Sequence, residues 1–248
     1  MIVLKHKKKS ILTASSILLV IAIISFLLLS ESSPFYHRIG QKKELVYRGV
    51  YFKSPVPVLI LNNGTIAEGL SPEAILIGSK QQSLETQITT LEQSIGPLNG
   101  KQIQIKGTLY HADNKTIFLL SAEKTAIGSV DHTRHYPTQQ TPKKPKELTG
   151  KVIEPLCWFD QVIKGGSEIH QSCTQRHLRW GNPPMLVVNY NGKNIYYLLQ
   201  LKAEKEENDQ WLAFAGQSVK IKGNVFNQNG WNVLETTIEA VELIAPNP

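Results

Sequence analysis

The sequence predicts an all-β fold with one short helix per domain, arranged as tandem five-stranded barrels after an N-terminal transmembrane helix. Three observations predict it: two long stretches in which apolar and polar residues alternate, the ungapped recurrence of one in the other 116 positions downstream, and an uncharged apolar run of 21 residues ahead of both. Alternation marks strands with one buried face. The recurrence marks a duplication, and the run is long enough to cross a bilayer as a helix. Composition agrees. With 248 residues there is chain for about two ordinary domains. With 41% apolar and 19% charged residues the chain is neither wholly disordered nor a coiled coil, and two cysteines exclude a disulfide-dense miniprotein.

The N-terminal elements set location. Residues 1–9 form a basic tail carrying Lys5, Lys7, Lys8 and Lys9, and residues 10–30 form the span. A cleaved signal peptide has a similar outline, but its apolar core is shorter and ends at small residues, whereas this run ends Phe26-Leu27-Leu28-Leu29-Ser30. The reading is an uncleaved signal anchor. Positive-inside topology keeps the lysines cytoplasmic, making this a single-pass inner (plasma) membrane protein with its bulk extracytoplasmic or periplasmic and residues 10–30 in contact with the lipid bilayer. The formal charge of +7 shrinks accordingly. Without the four tail lysines, 23 basic residues face 20 acidic ones. That is a weak phosphate footprint, and together with the topology it predicts no nucleic-acid partner.

Strands follow in order. Leu45 to Phe52 and Leu148 to Ile153 open the two copies. Second strands lie in Pro57-Val-Leu-Ile-Leu-Asn-Asn-Gly64 and Pro184-Met-Leu-Val-Val-Asn-Tyr-Asn-Gly192, and third strands at Ala74 to Ile77 and Asn194 to Leu201. A helix comes next in the first copy, where Leu84, Ile88, Leu91 and Ile95 make one apolar stripe; the second has a shorter helical segment, Glu204 to Ala215. The duplicated stretch supplies the fourth strands: Gly100-Lys-Gln-Ile-Gln-Ile-Lys-Gly-Thr-Leu-Tyr110 aligns on Gly216-Gln-Ser-Val-Lys-Ile-Lys-Gly-Asn-Val-Phe226. Gly107 and Gly223 interrupt these strands at one equivalent point, where a barrel bends. Turns at Asp113-Asn114 and Asn229-Gly230 lead to fifth strands at Thr116 to Leu120 and Trp231 to Thr236.

Strand, strand, strand, helix, strand, strand is the order of the Greek-key barrel called the OB-fold, and each half resembles one, with an SH3-like barrel as the alternative. The first OB-like domain covers residues 41–130 and the second 147–244. Between them, residues 131–146 hold three prolines and no aliphatic residue, the composition of a linker.

Comparing the copies isolates an insertion. Gly49 to Pro57 is 8 positions and Gly150 to Pro184 is 34, so the second domain has 26 additional residues between its first two strands, within 154–182. This loop holds both cysteines, two of seven histidines and two of four tryptophans. With Cys157, His170-Gln-Ser-Cys173 and Gly181-Asn-Pro-Pro184, it resembles uncharacterised membrane-anchored bacterial proteins with OB-fold-like extracytoplasmic domains, in which a third cysteine stands where this chain has His177. The resemblance implies no particular activity.

Two chemistries compete for the cysteines. Cys157 and Cys173 pair as a disulfide, as an exterior location favours, or Cys157, His170, Cys173 and His177 hold a transition metal such as zinc, the last three sharing a helix face at i, i+3 and i+7. No Cys-x-x-Cys or haem attachment motif supports a redox or haem site. Trp158, Phe159 and Trp180 form either an aromatic binding face or the loop's own small core. Glu154, Asp160 and Glu168 read as solvated loop carboxylates. No nucleophile elbow, phosphate loop, metalloprotease helix or dinucleotide turn occurs, so no catalytic residue is assigned and no cofactor is expected. The functional expectation is a non-enzymatic, membrane-anchored binding or assembly module with an envelope protein partner. Its alternative is a metal-binding or redox accessory factor for an envelope oxidoreductase.

Overall fold

A computed structural model of the chain describes residues 44–62, 70–78, 84–123, 126–131, 135–163, 170–202 and 208–244. The basic tail and the expected span at 10–30 lie outside them. Among the described residues no helix is long and apolar enough to cross a membrane.

The first barrel is built from β1 (Leu45–Phe52), β2 (Val58–Leu61), β3 (Glu73–Ile77), α1 (Leu84–Ile95), β4 (Lys101–Ala112) and β5 (Lys115–Leu120). Strand β1 pairs antiparallel with β2 on one side and β4 on the other, β2 with β3, and β4 with β5, while β3 and β5 run parallel. The order β1-β2-β3-β5-β4 therefore closes on itself, the OB-type circuit. The second barrel repeats it with β7 (Lys144–Ile153), β8 (Met185–Tyr190), β9 (Lys193–Leu201), β10 (Ser218–Gln228) and β11 (Trp231–Thr236), with β9 and β11 parallel. Its insertion forms α2 (Pro155–Ile163) and α3 (Gln171–Arg179).

The equivalent glycines act through their missing side chains. Gly107 pairs with Leu45 of β1 and Leu120 of β5, and a Cβ there would overlap the Leu119 carbonyl. Gly223 stands in the same relation to the Glu235 carbonyl. Both hairpin turns after these strands have positive φ at both central residues, as type I′ turns require, and Asn229-Gly230 is the preferred pair for one.

The structure departs from the sequence reading in three respects. Each barrel carries a sixth strand, β6 (Ile127–Asp131) on β4 and β12 (Val241–Leu243) on β10. In the second barrel, residues 203–207 of the expected helical segment lie outside the described residues, and the described remainder holds a short 3₁₀ turn, Asn208–Trp211. The large apolar residues of the expected segment, Trp211, Leu212 and Phe214, are too tightly spaced for a helical stripe. The inter-domain segment is also more ordered than its composition suggests. β7 begins at Lys144, Thr141 N–H donates to the Asn227 carbonyl at 2.9 Å, and Asn229 N–H donates to the Gln139 carbonyl at 3.0 Å. The strap is pinned along the β10–β11 hairpin.

The barrels also share a core. Strands β2, β3 and β5 are buried on both faces, unlike a strand with one solvent face. Leu59, Leu61, Leu76 and Phe118 fill the first barrel, while Val58, Ile75, Ile77 and Ile117 turn outward to meet Met185, Val187, Tyr196, Leu198 and Trp231 of the second. The contact uses the same face of each copy, as in an isologous dimer. Each hairpin tip reaches the third strand of the other barrel. Asp113 accepts from Tyr196 Oη at 2.6 Å and Asn194 Nδ2 at 2.9 Å on β9, and Trp231 Nε1 donates to the Glu73 carbonyl on β3 at 3.2 Å. The outer face of β2 and β3, where OB-folds take oligonucleotides, is thus covered in both copies.

Candidate functional site

The insertion is organised around Glu154. Lying between β7 and α2, it caps the helix with its carboxylate, Oε1 accepting from Leu156 N–H at 3.0 Å and Oε2 from Cys157 N–H at 2.8 Å. Pro155, first in the helix, has no N–H to satisfy. Two side chains complete the shell: Asn182 Nδ2 donates to Oε1 at 2.9 Å and His177 Nδ1 donates to Oε2 at 2.9 Å. Glu154 is 0% exposed. It was expected in solvent; instead four donors replace the water its charge has lost.

Cys157 and Cys173 form a disulfide that ties α2 to α3, with Cα atoms 6.6 Å apart. By loop entropy such a closure is worth about 3 kcal/mol. It also corrects the metal reading. Helix α3 brings His177 to the cysteines, and the ligand atoms of Cys157, Cys173 and His177 lie within 4.8 Å of one another. Both sulfurs are consumed by their mutual bond, however, and exposed His170 heads the helix apart from this cluster. The four expected ligands therefore do not form a tetrahedral zinc site.

The aromatic residues divide. Trp158 and Phe159 are buried in the layer shared by the barrels, because α2 packs against β4 and β5. Trp158 Nε1 donates to Tyr196 Oη at 3.0 Å, which in turn donates to Asp113. Burial, reinforced by that carboxylate, holds the Tyr196 phenol well above the usual tyrosine range. These two are packing residues. Trp180 is partly exposed; it stacks on His177 with ring centroids 4.7 Å apart, and the Arg176 guanidinium lies over it at 5.6 Å.

Trp180 and Asn182 help form one wall of a cleft of about 490 Å³, with Pro184 beside them. Opposite stand Tyr51 and Lys53 of the first barrel and Glu85 of α1. Both barrels line it, and the Glu154 cluster lies behind the insertion wall through Asn182 and the His177–Trp180 stack. The sequence signals the insertion side through its clustered Cys, His and Trp residues. The first-barrel wall has no such signal, because it depends on how the barrels dock.

No protein-family model and no curated protein matches this chain. Among solved structures, the single-stranded DNA binding protein from Thermus aquaticus is similar over 83% of this chain and 94% of its own, at 12% identity and a TM-score of 0.21. The expectation of no nucleic-acid partner is withdrawn here: the matched protein is by name one that binds single-stranded DNA. The small exterior charge on which that expectation rested is an argument from net charge, blind to a local surface. A likeness of this size carries no argument for what this chain binds.

Proposed function

We propose that the chain is a non-enzymatic, membrane-anchored module held outside the cytoplasm, which binds a segment of an envelope protein partner in the cleft beside the insertion. One observation carries the reading: the second copy differs from the first by a disulfide-stapled insertion, and that insertion builds a wall of the cleft. A disulfide suits an exterior compartment. Trp180, Pro57 and Leu84, all partly exposed, provide an apolar surface, with Lys53 and Glu85 as polar contacts, the usual composition of a recognition pocket.

Photo-crosslinking in intact cells tests it, with a photoreactive residue at Trp180 and a control at Tyr190, which is 66% exposed. The reading predicts a discrete protein adduct from position 180 and none from 190. Equal labelling from both, or saturable binding of a labelled single-stranded oligonucleotide blocked by Trp180→Ala, overturns it. An alkaline phosphatase fusion after residue 40 is expected to be active; an inactive fusion removes the exterior location.

A further inference from the structure

We propose that the Cys157–Cys173 disulfide is a thiol–disulfide exchange site, at which a low-molecular-weight thiol attacks Cys173 and Cys157 departs as a thiolate held by His177. The inference goes beyond the binding reading and does not depend on it.

The two cysteines are unequal. Cys157 is 8% exposed, whereas Cys173 is only half-buried, in the first turn of α3. Attack by a solvent-borne nucleophile is therefore directed to Cys173, and Cys157 becomes the leaving group. Beside Cys173 the Arg176 guanidinium places Nη2 3.9 Å from Sγ, a positive charge where an anionic thiolate must approach.

The leaving sulfur has a donor already in place. His177 Nδ1 lies 3.4 Å from Cys157 Sγ, and the Glu154 carboxylate at 2.9 Å fixes the proton on that nitrogen. Stacking on Trp180 holds the ring. One nitrogen serves both neighbours, so His177 does not pass a proton between two nitrogens as in a hydrolytic triad; it donates. A disulfide sulfur accepts such a bond weakly and a thiolate accepts it strongly, so the contact favours the opened state and the transition state leading to it.

In the reaction, RS⁻ forms a bond to Cys173 Sγ, the sulfur–sulfur bond breaks, and its electron pair goes to Cys157 Sγ. A second RS⁻ attacks the external sulfur of the mixed disulfide and releases the Cys173 thiolate. Overall, the protein disulfide and two RSH give two cysteine thiols and RSSR; two electrons enter the protein and the small thiol is oxidised.

The full-length chain tests this with glutathione as the probe. Reduction of the wild-type disulfide is followed under excess reduced glutathione, and the acid-trapped mixed disulfide is located by peptide mass spectrometry. It is expected on Cys173; glutathione on Cys157 overturns the proposal. His177→Phe keeps a stacking ring but removes the donor, and slows reduction by roughly tenfold or more, the size expected for one charge-assisted hydrogen bond to a leaving group. His177→Asn, which restores an N–H near the Nδ1 position, recovers most of the rate. Equal rates for wild type and His177→Phe overturn the role of His177. Cys157→Ser and Cys173→Ser, treated with oxidised glutathione, provide a reading independent of His177. Cys173 is expected to be modified roughly tenfold faster than Cys157, and the reverse order contradicts the assignment.

Discussion

Two buried polar residues show how single side chains set this structure. Glu154 joins a helix cap to a histidine 23 positions away and an asparagine 28 positions away. Glu154→Gln replaces an acceptor oxygen with an amide that faces N–H donors, and denaturant unfolding is expected to show a loss of about 1–3 kcal/mol, the scale for leaving a buried hydrogen-bonding group unsatisfied. Tyr196 is linked to both barrels through Trp158 and Asp113, and Tyr196→Phe leaves both partners short of a hydrogen bond, at a cost of about 1–3 kcal/mol. Its raised pKa gives a pH signature. The folded state holds the phenol proton more tightly than the unfolded chain, whose tyrosines ionise near 10.0, so this contribution is full below that pH and declines above it. Wild-type stability is expected to fall as pH rises past 10, more steeply than that of Tyr196→Phe. Lys115 acts on the other side of that pH: burial lowers its pKa, so stability rises as pH climbs toward 10.5, where the unfolded lysine loses its proton, and levels off above it. Neither polar role is legible in sequence: Glu154 stands among loop residues, and its partners become neighbours only after α3 folds back.

Among the elements, legibility follows periodicity. Strands β4 and β10 are plain from their alternation and their repeat, and α1 from its apolar stripe, because the buried face of each writes its own period. The equivalent glycines were visible too, and their reason is the crossing of strands. Gly223→Ala is expected to lower stability by about 1–3 kcal/mol, since the carbonyl in its way belongs to backbone and must shift; thermal melts against wild type check it. Strands β6 and β12 were missed because their five and three residues show neither a period nor the unbroken apolar run that marks β2 and β3. The helical segment expected at 204–215 has its large apolar residues, Trp211, Leu212 and Phe214, crowded into four positions, with no stripe. Strands β2 and β3 were found, yet their unbroken apolar runs held a second message, that both faces are covered, which became readable only when the other barrel was seen against them.

At the scale of the whole molecule, the duplicated barrels behave as one packed body because a face of each is buried in the other. Trp231 lies at the centre of this layer, fully buried, with the Lys115 ammonium over its ring at 4.6 Å. Calorimetry is therefore expected to show one cooperative transition for the described region, and Trp231→Ala to destabilise it by about 3–5 kcal/mol. Two separate transitions in the wild type would mean that the shared layer does not couple the barrels. The sequence could reveal the duplication but not the docking, since which outer faces meet depends on side chains far apart in the chain. The same docking brings the insertion against the first barrel and forms the cleft. The proposed function requires that insertion to be stapled where the chain works, and the redox state of the two cysteines in intact cells tests this most directly. After rapid acid quenching and alkylation, peptide mass spectrometry should recover Cys157 and Cys173 joined to each other in most of the protein; both residues alkylated as free thiols in most of the protein would contradict a stapled insertion.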